Sequence, residues 1–156
     1  MATFHSDARG VTIPCSECEA TNRIPWDRLH EAPRCGRCKA YLQGINRPVE
    51  LADEAAFAAA TASGTLPLVV DFWAAWCAPC RMLAPTLEAL AADLEGEVVF
   101  AKLDTEAVPA PGRALGLRSI PTLALYRSGE LLGQQAGAHP AQAIRQWLRA
   151  AGGLDG

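Results

Sequence analysis

Six cysteines fall into three pairs with two residues inside each pair: Cys15/Cys18, Cys35/Cys38 and Cys77/Cys80. This spacing constrains the chain more than any other feature, because two thiols three positions apart can share one metal ion or close on each other as a disulfide. The pairs sit in different surroundings. The first two lie sixteen residues apart in a polar stretch, residues 11–43, interrupted by Pro14, Pro25, Pro33 and Gly36. A segment of that size buries too little apolar surface to fold by itself. The third pair sits between an apolar run and a helical pattern, inside a region rich enough in hydrophobic residues to build a core.

The chain has 156 residues, enough for one ordinary domain and an appendage. Its net charge of −3 is uneven: residues 1–48 hold seven basic and five acidic residues, residues 49–156 seven and twelve. No basic block or stripe is present, which argues against a nucleic-acid partner. Apolar stretches such as Leu66–Val70 are far shorter than a membrane span. The first ten residues have no apolar segment of the kind an export signal needs, so a cytoplasmic protein is expected, with no membrane partner. In a reducing compartment, paired cysteines serve metal binding or redox catalysis rather than a disulfide framework.

Residues 1–10 read as a loose leader, 11–46 as a cysteine module and 47–152 as the main domain. In the main domain, Pro48–Leu51 is a short strand, and Asp53 caps a helix over Glu54–Ala62 that stops near Gly64. Leu66–Trp73 is a β-branched and aromatic run suited to a buried central strand. Residues 78–94 carry helical spacing through Met82, Leu83, Leu87, Leu90 and Leu94, with a kink expected at Pro85. Val98–Leu103 is a strand, and a short helix lies around Arg113–Leu115. Pro121–Tyr126 and Glu130–Gln135 form a hairpin about Ser128-Gly129. Pro140–Ala151 is an amphipathic helix that turns Ile144, Trp147 and Leu148 inward. Strands alternating with helices and ending in a hairpin predict an α/β fold, a mixed sheet with helices on both faces.

The segment V-V-D-F-W-A-A-W-C-A-P-C-R puts Cys77 where a strand ends and a helix begins. Free backbone N–H groups and the positive end of the helix dipole favour a thiolate there, and a lowered pKa makes it a nucleophile near neutral pH. Cys80 lies one turn on, more sheltered, within reach for a disulfide. Pro79 fits the first turn, where its missing N–H costs nothing.

These motifs resemble the thioredoxin family over about residues 48–151. D-F-W-A-A-W-C-A-P-C-R is similar to its active-site segment, A-K-L-D at 101–104 to its following strand, R-S-I-P-T at 118–122 to its cis-proline loop, and Y-R-S-G-E at 126–130 to its hairpin turn. The family's usual glycine after the first cysteine is Ala78 here, and the added methyl bears on potential and partner fit without removing the chemistry. The resemblance implies the thioredoxin fold. It makes Asp71 a buried acid beneath the disulfide, with a raised pKa and a proton-transfer role toward Cys80, and Lys102 its charged neighbour. From the residues alone, Asp71 also reads as a strand-end acid facing solvent, and Pro121 as an ordinary strand-start proline. By resemblance, Pro121 is cis, Ile120 offers backbone to an extended substrate, and Trp76, Pro79, Ile120, Pro121 and Gly137 form an apolar docking surface. The implied activity is protein-disulfide reduction, with disulfide-containing proteins as targets and a flavoprotein thioredoxin reductase as electron donor.

The four leading cysteines have the spacing of a four-cysteine zinc site. Four soft ligands with no open position suggest one structural Zn²⁺, which supplies the folding energy the segment lacks. Gly36 is read as permitting the tight backbone, and His30 as a surface histidine. Two structural disulfides and an iron–sulfur cluster are the competing readings. A zinc module ahead of such a domain resembles the zinc-containing bacterial class, thioredoxin 2, for which an oxidative-stress role is the natural expectation. An alternative is a redox-sensing holdase or partner-binding module on the same scaffold.

Overall fold

The computed structural model describes residues 3–62 and 65–155. Gly64, the expected stop of the first long helix, lies outside the described residues.

Three short strands come first: β1 (His5–Asp7), β2 (Gly10–Pro14) and β3 (Thr21–Ile24), an antiparallel sheet in the order β1-β2-β3. The sequence reading named no strand here, because the apolar residues that alternate are few. Val11 and Ile13 are buried while Thr12 between them is not. A single 3-10 turn, Trp26–Arg28, follows. Then come β4 (Val49–Glu50), α1 (Glu54–Ala62), β5 (Leu68–Trp73), α2 (Ala78–Asp93), β6 (Val99–Asp104), α3 (Ala110–Ala114), β7 (Thr122–Arg127), β8 (Glu130–Ala136) and α4 (Ala141–Ala151). All elements expected between Pro48 and Ala151 are present, with ends within two residues of the expected ones except at α3, which starts at Ala110, three residues before the expected Arg113. Asp53 caps α1 as anticipated, its Oδ1 accepting from the Ala56 N–H at 2.7 Å. Helix α2 runs through Pro85, which has no N–H to give the Arg81 carbonyl.

The main sheet has the order β4-β6-β5-β7-β8, parallel between β4, β6 and β5 and antiparallel through β7 and β8. Central β5 is buried on both sides, and its residues alternate between two apolar layers. Val70 and Phe72 join Ala56 and Ala60 of α1 in one. Val69 joins Leu83, Leu87 and Leu90 of α2 and Ile144 and Leu148 of α4 in the other. Met82, grouped by spacing with the inward residues of α2, instead points to solvent and is 74% exposed. Trp147 is half-buried against the α2–α4 layer, as expected.

Residues 3–10 are not a loose leader. Phe4 is 2% exposed; its N–H donates to the Pro48 carbonyl at 3.0 Å, and its own carbonyl accepts from the Glu50 N–H at 2.8 Å. The leader is thereby stitched along β4, and the Arg47 guanidinium lies 5.0 Å from the centre of its ring. Phe4, Val11, Ile13, Trp26 and Ile45 belong to the same apolar layer as Val49, Leu51 and Val70. The small sheet therefore leans on the main domain for its core. Phe4→Ala is expected to remove about 3–4 kcal/mol of stability, read as a lower denaturant midpoint at unchanged slope. A loose leader requires no change.

Candidate functional site

Cys77 ends the loop after β5 and caps α2. Its Sγ accepts from the Cys80 N–H at 3.2 Å, and Pro79 occupies the first helical turn, as expected. The two sulfurs are joined as a disulfide. Cys77 is 4% exposed and Cys80 3%, so the expected contrast in shelter does not appear in burial. It appears in direction: Cys77 lines a groove of about 650 Å³, and Cys80 does not. The Ile120–Pro121 bond is cis, and the Ile120 carbonyl lies 3.7 Å from Cys77 Sγ, where a reduced thiol can donate to it. Trp76 (66% exposed), Pro79 and Ile120 also line the groove. The Trp76 indole N–H donates to Glu106 Oε1 at 3.0 Å, a partner not singled out from sequence. Gly137 meets Pro121 from the side: its N–H donates to the Pro121 carbonyl at 2.9 Å from a backbone with φ of 99°. Glycine suits that conformation.

Asp71 lies opposite Lys102 on β6 and Leu123 on β7, on the face of the sheet that α2 covers. It is 1% exposed, and neither carboxylate oxygen has a hydrogen-bond partner. Burial pushes its pKa from 3.8 up to about 7, opposed by the positive charge of Lys102. This excludes the solvent-facing reading. Lys102 turns its ammonium over the Trp73 ring, 4.4 Å from the centroid.

The four leading cysteines converge at the end of the small sheet. Their sulfurs lie within 4.8 Å of one another, with Cys15–Cys38 and Cys18–Cys35 each at 3.6 Å. A tetrahedral ion with sulfur ligands at 2.3 Å separates them by about 3.8 Å, so the donor set fits such an ion. None of the four is disulfide-bonded, against the reading of two structural disulfides. The two knuckles share one backbone plan. Cys15 N–H bonds the Ala20 carbonyl and Glu19 N–H the Cys15 carbonyl; Cys35, Ala40 and Lys39 repeat the pattern. Glu19 and Lys39 take the left-handed conformation, at φ of 66° and 67°. Gly36 does not, and a Cβ there would meet only ordinary contact at 3.8 Å, so its expected role is not needed. Sequence reading also missed Asn22. Its amide donates to Cys35 Sγ at 3.5 Å, and its Oδ1 accepts from the Gly36 N–H at 2.9 Å, tying the strand to the second knuckle. The repeat C-x-x-C-x-A at 15–20 and 35–40 was the available signal for the shared plan.

The Cys38 N–H, the Asn22 amide and the Arg37 N–H draw the Cys35 thiol down to about 6. The Ala40 N–H pulls on Cys38 too, but desolvation and the neighbouring sulfurs outweigh it and push that thiol up to about 11. Four thiols this close do not all ionise without a cation among them. His30 is exposed and stands apart from the group.

Two family models match the chain: thioredoxin over residues 48–150, and the thioredoxin 2 N-terminal family over residues 14–40. Thioredoxin C-3 of Corynebacterium nephridii is 40% identical over 138 residues, 88% of this chain and 93% of the relative. Thioredoxin 2 of Chlorobaculum tepidum is 45% identical over 80 residues, 51% of this chain and 73% of the relative. Among solved structures, a mutant thioredoxin from Halobacterium salinarum superposes with a TM-score of 0.63 at 28% identity, covering 70% of this chain and 94% of that one.

The isolated carboxyl of Asp71 makes stability depend on pH with a definite sign. Its folded pKa is raised, so its contribution to stability is whole below 3.8 and is lost as pH rises through about 7. Asp71→Asn removes that loss. The variant's advantage should be absent near pH 4, grow up to pH 7 and level off above, at roughly 4 kcal/mol as an upper limit. Denaturant titrations of both proteins across that range check the shape. An advantage independent of pH would contradict the burial argument.

Proposed function

Because this chain belongs to the thioredoxin family, we propose that it reduces protein disulfides, with Cys77 as attacking nucleophile and Cys80 as resolving thiol. The observation that carries this reading is the Cys77–Cys80 pair, able to open and close at the start of α2 beside a groove large enough for an extended chain. The Cys77 thiolate attacks one sulfur of a target disulfide. A mixed disulfide forms, and the other target sulfur leaves as a thiolate that takes up a proton. Cys80 then loses its proton and attacks the Cys77 sulfur, which releases the second target thiolate and closes the Cys77–Cys80 bond. Two electrons have passed to the target.

Asp71 is the group we assign to accept the Cys80 proton, since a buried carboxyl with a pKa near 7 exchanges protons readily at neutral pH. Lys102 keeps the ionised form accessible. Trp76, Pro79, Ile120, Pro121 and Gly137 form the docking surface, with the backbone of Ile120 running beside the target segment. An external donor returns the pair to the dithiol form. Family membership makes a flavoprotein thioredoxin reductase the natural choice, in a cytoplasmic setting where the four leading thiols stay reduced. The described residues contain no helix long and apolar enough to cross a membrane.

The leading cysteines bind a metal, and we assign it as one Zn²⁺ held by Cys15, Cys18, Cys35 and Cys38. When bound, it supplies a cross-link between the two knuckles and keeps their sulfurs from mild oxidants. We divide the chain into a zinc module over 11–46, to which β1 adds an edge, and a thioredoxin domain over 47–152. The matched segments 14–40 and 48–150 support that division.

An insulin-type reduction assay tests the roles of the pair. Cys77→Ser is expected to abolish turnover, whereas Cys80→Ser should accumulate mixed disulfides with targets. Substantial turnover by Cys77→Ser would sink the assignment. Asp71→Asn should slow the thiol–disulfide steps by about a hundredfold. Metal analysis with thiol counting tests the other site: one zinc per chain, retained while Cys77 and Cys80 are oxidised and reduced. Loss of zinc in step with that pair would refute two independent cysteine populations.

A further inference from the structure

Residues 49–156 are acidic overall, with twelve acidic side chains against seven basic ones. The groove beside Cys77 inverts that balance. Its walls carry two arginines, Arg113 and Arg118, and one acid, Glu106. Glu106 is engaged by the Trp76 indole. Both arginines are exposed, and neither guanidinium has a hydrogen-bond or ion-pair partner among the described residues. Other exposed arginines in the chain do find acids: Arg23 meets Asp7 at 2.8 Å, and Arg28 meets Glu31 at 2.9 Å. Arg113 sits in the last turn of α3, and Arg118 two residues before Ile120, so one stretch of chain places both beside the backbone that would guide a target.

We infer that Arg113 and Arg118 are specificity residues that select target disulfides flanked by acidic side chains. The inference rests on the reductase reading above and names the substrate class of the same groove. A target segment extended along Ile120 advances about 3.4 Å per residue. A Glu or Asp within two or three positions of the target's cystine therefore comes within reach of a guanidinium, which can grip a carboxylate with two parallel N–H groups. A basic residue at the same place meets two unneutralised like charges. Because the domain as a whole is acidic, the attraction is local: it acts in the bound complex rather than by drawing targets from afar, where the net charge opposes it.

The test uses the full-length reduced protein and three cystine peptides of one length, with glutamate, glutamine or lysine flanking the disulfide. Single-turnover reduction is followed over a range of peptide concentration at about 0.1 M salt, where the screening length is about 10 Å, and again at 1 M. The glutamate peptide is expected to half-saturate at about fivefold lower concentration than the glutamine peptide, and the lysine peptide at a higher one. The limiting rates should agree, and the spread should shrink at 1 M salt. The double variant R113Q/R118Q should bring the three half-saturation values together, and R113E/R118E should reverse their order. Folding of each variant is judged by its own rate on the glutamine peptide, so a general defect divides out of the ratios. Equal half-saturation for the three wild-type reactions, or a glutamate preference that survives R113Q/R118Q, overturns the assignment and leaves the reductase reading standing. Failure of the wild-type protein to reduce even the glutamine peptide removes the reductase reading itself.

Discussion

Strand β5 is the member on which the rest hangs. It is hydrogen-bonded on both sides, to β6 and β7, and both its faces are covered, so nothing in it can shift without disturbing two apolar layers. From this fixed strand the redox site is laid out by simple parity. Asp71 falls on the α2 face because Val69 does, and the disulfide follows because only four residues separate the end of β5 from the start of α2. Lys102 and Thr122 arrive from the flanking strands at set registers, the latter bringing Pro121 beside it. A site that must hold two sulfurs, a carboxyl and a carbonyl in fixed relation is served by a strand that cannot move.

The same spacing, cysteine three positions from cysteine, does two different things here, and the residues that follow decide which. After Cys18 and Cys38 the chain enters a left-handed residue, Glu19 or Lys39, whose N–H returns to the carbonyl of the first cysteine of its pair. Cys80 instead lies in the first turn of a helix of sixteen residues, Ala78–Asp93. The first arrangement opens both sulfurs of a pair toward a common centre. The second stacks them along an axis, near enough to bond to one another. Surrounding backbone, not the motif, sets the chemistry.

Much of this was legible in the sequence, for reasons that can be named. The main domain announces itself because each element carries a strong periodicity: a β-branched run for β5, leucines at helical spacing for α2, a two-residue turn for the β7–β8 hairpin. The chemistry was legible because thiols and a carboxyl in an apolar run are costly and therefore conspicuous. Most of what was not legible lies in the first 47 residues. Their strands are three to five residues long, too short for a period to register. Phe4 makes its contacts with a strand more than forty residues away, and no local pattern encodes that pairing. Met82 shows the opposite failure, a hydrophobic residue at a plausible spacing that the helix turns outward. Arg113 and Arg118 carry no signature at all until the fold gathers them at one groove.

The stitching of Phe4 along β4 has a consequence beyond packing. A sheet with the order β4-β6-β5-β7-β8 has two outer strands, and an outer strand offers unpaired backbone groups to any passing chain. At the β4 end Phe4 takes that place, with the small sheet behind it. At the other end, β8 shifts register between Leu131 and Gly133 and carries Glu130, Gln134 and Gln135, a poor template for another strand. The segment around Phe4 thereby blocks edge-to-edge pairing at β4, whatever happens at the disulfide.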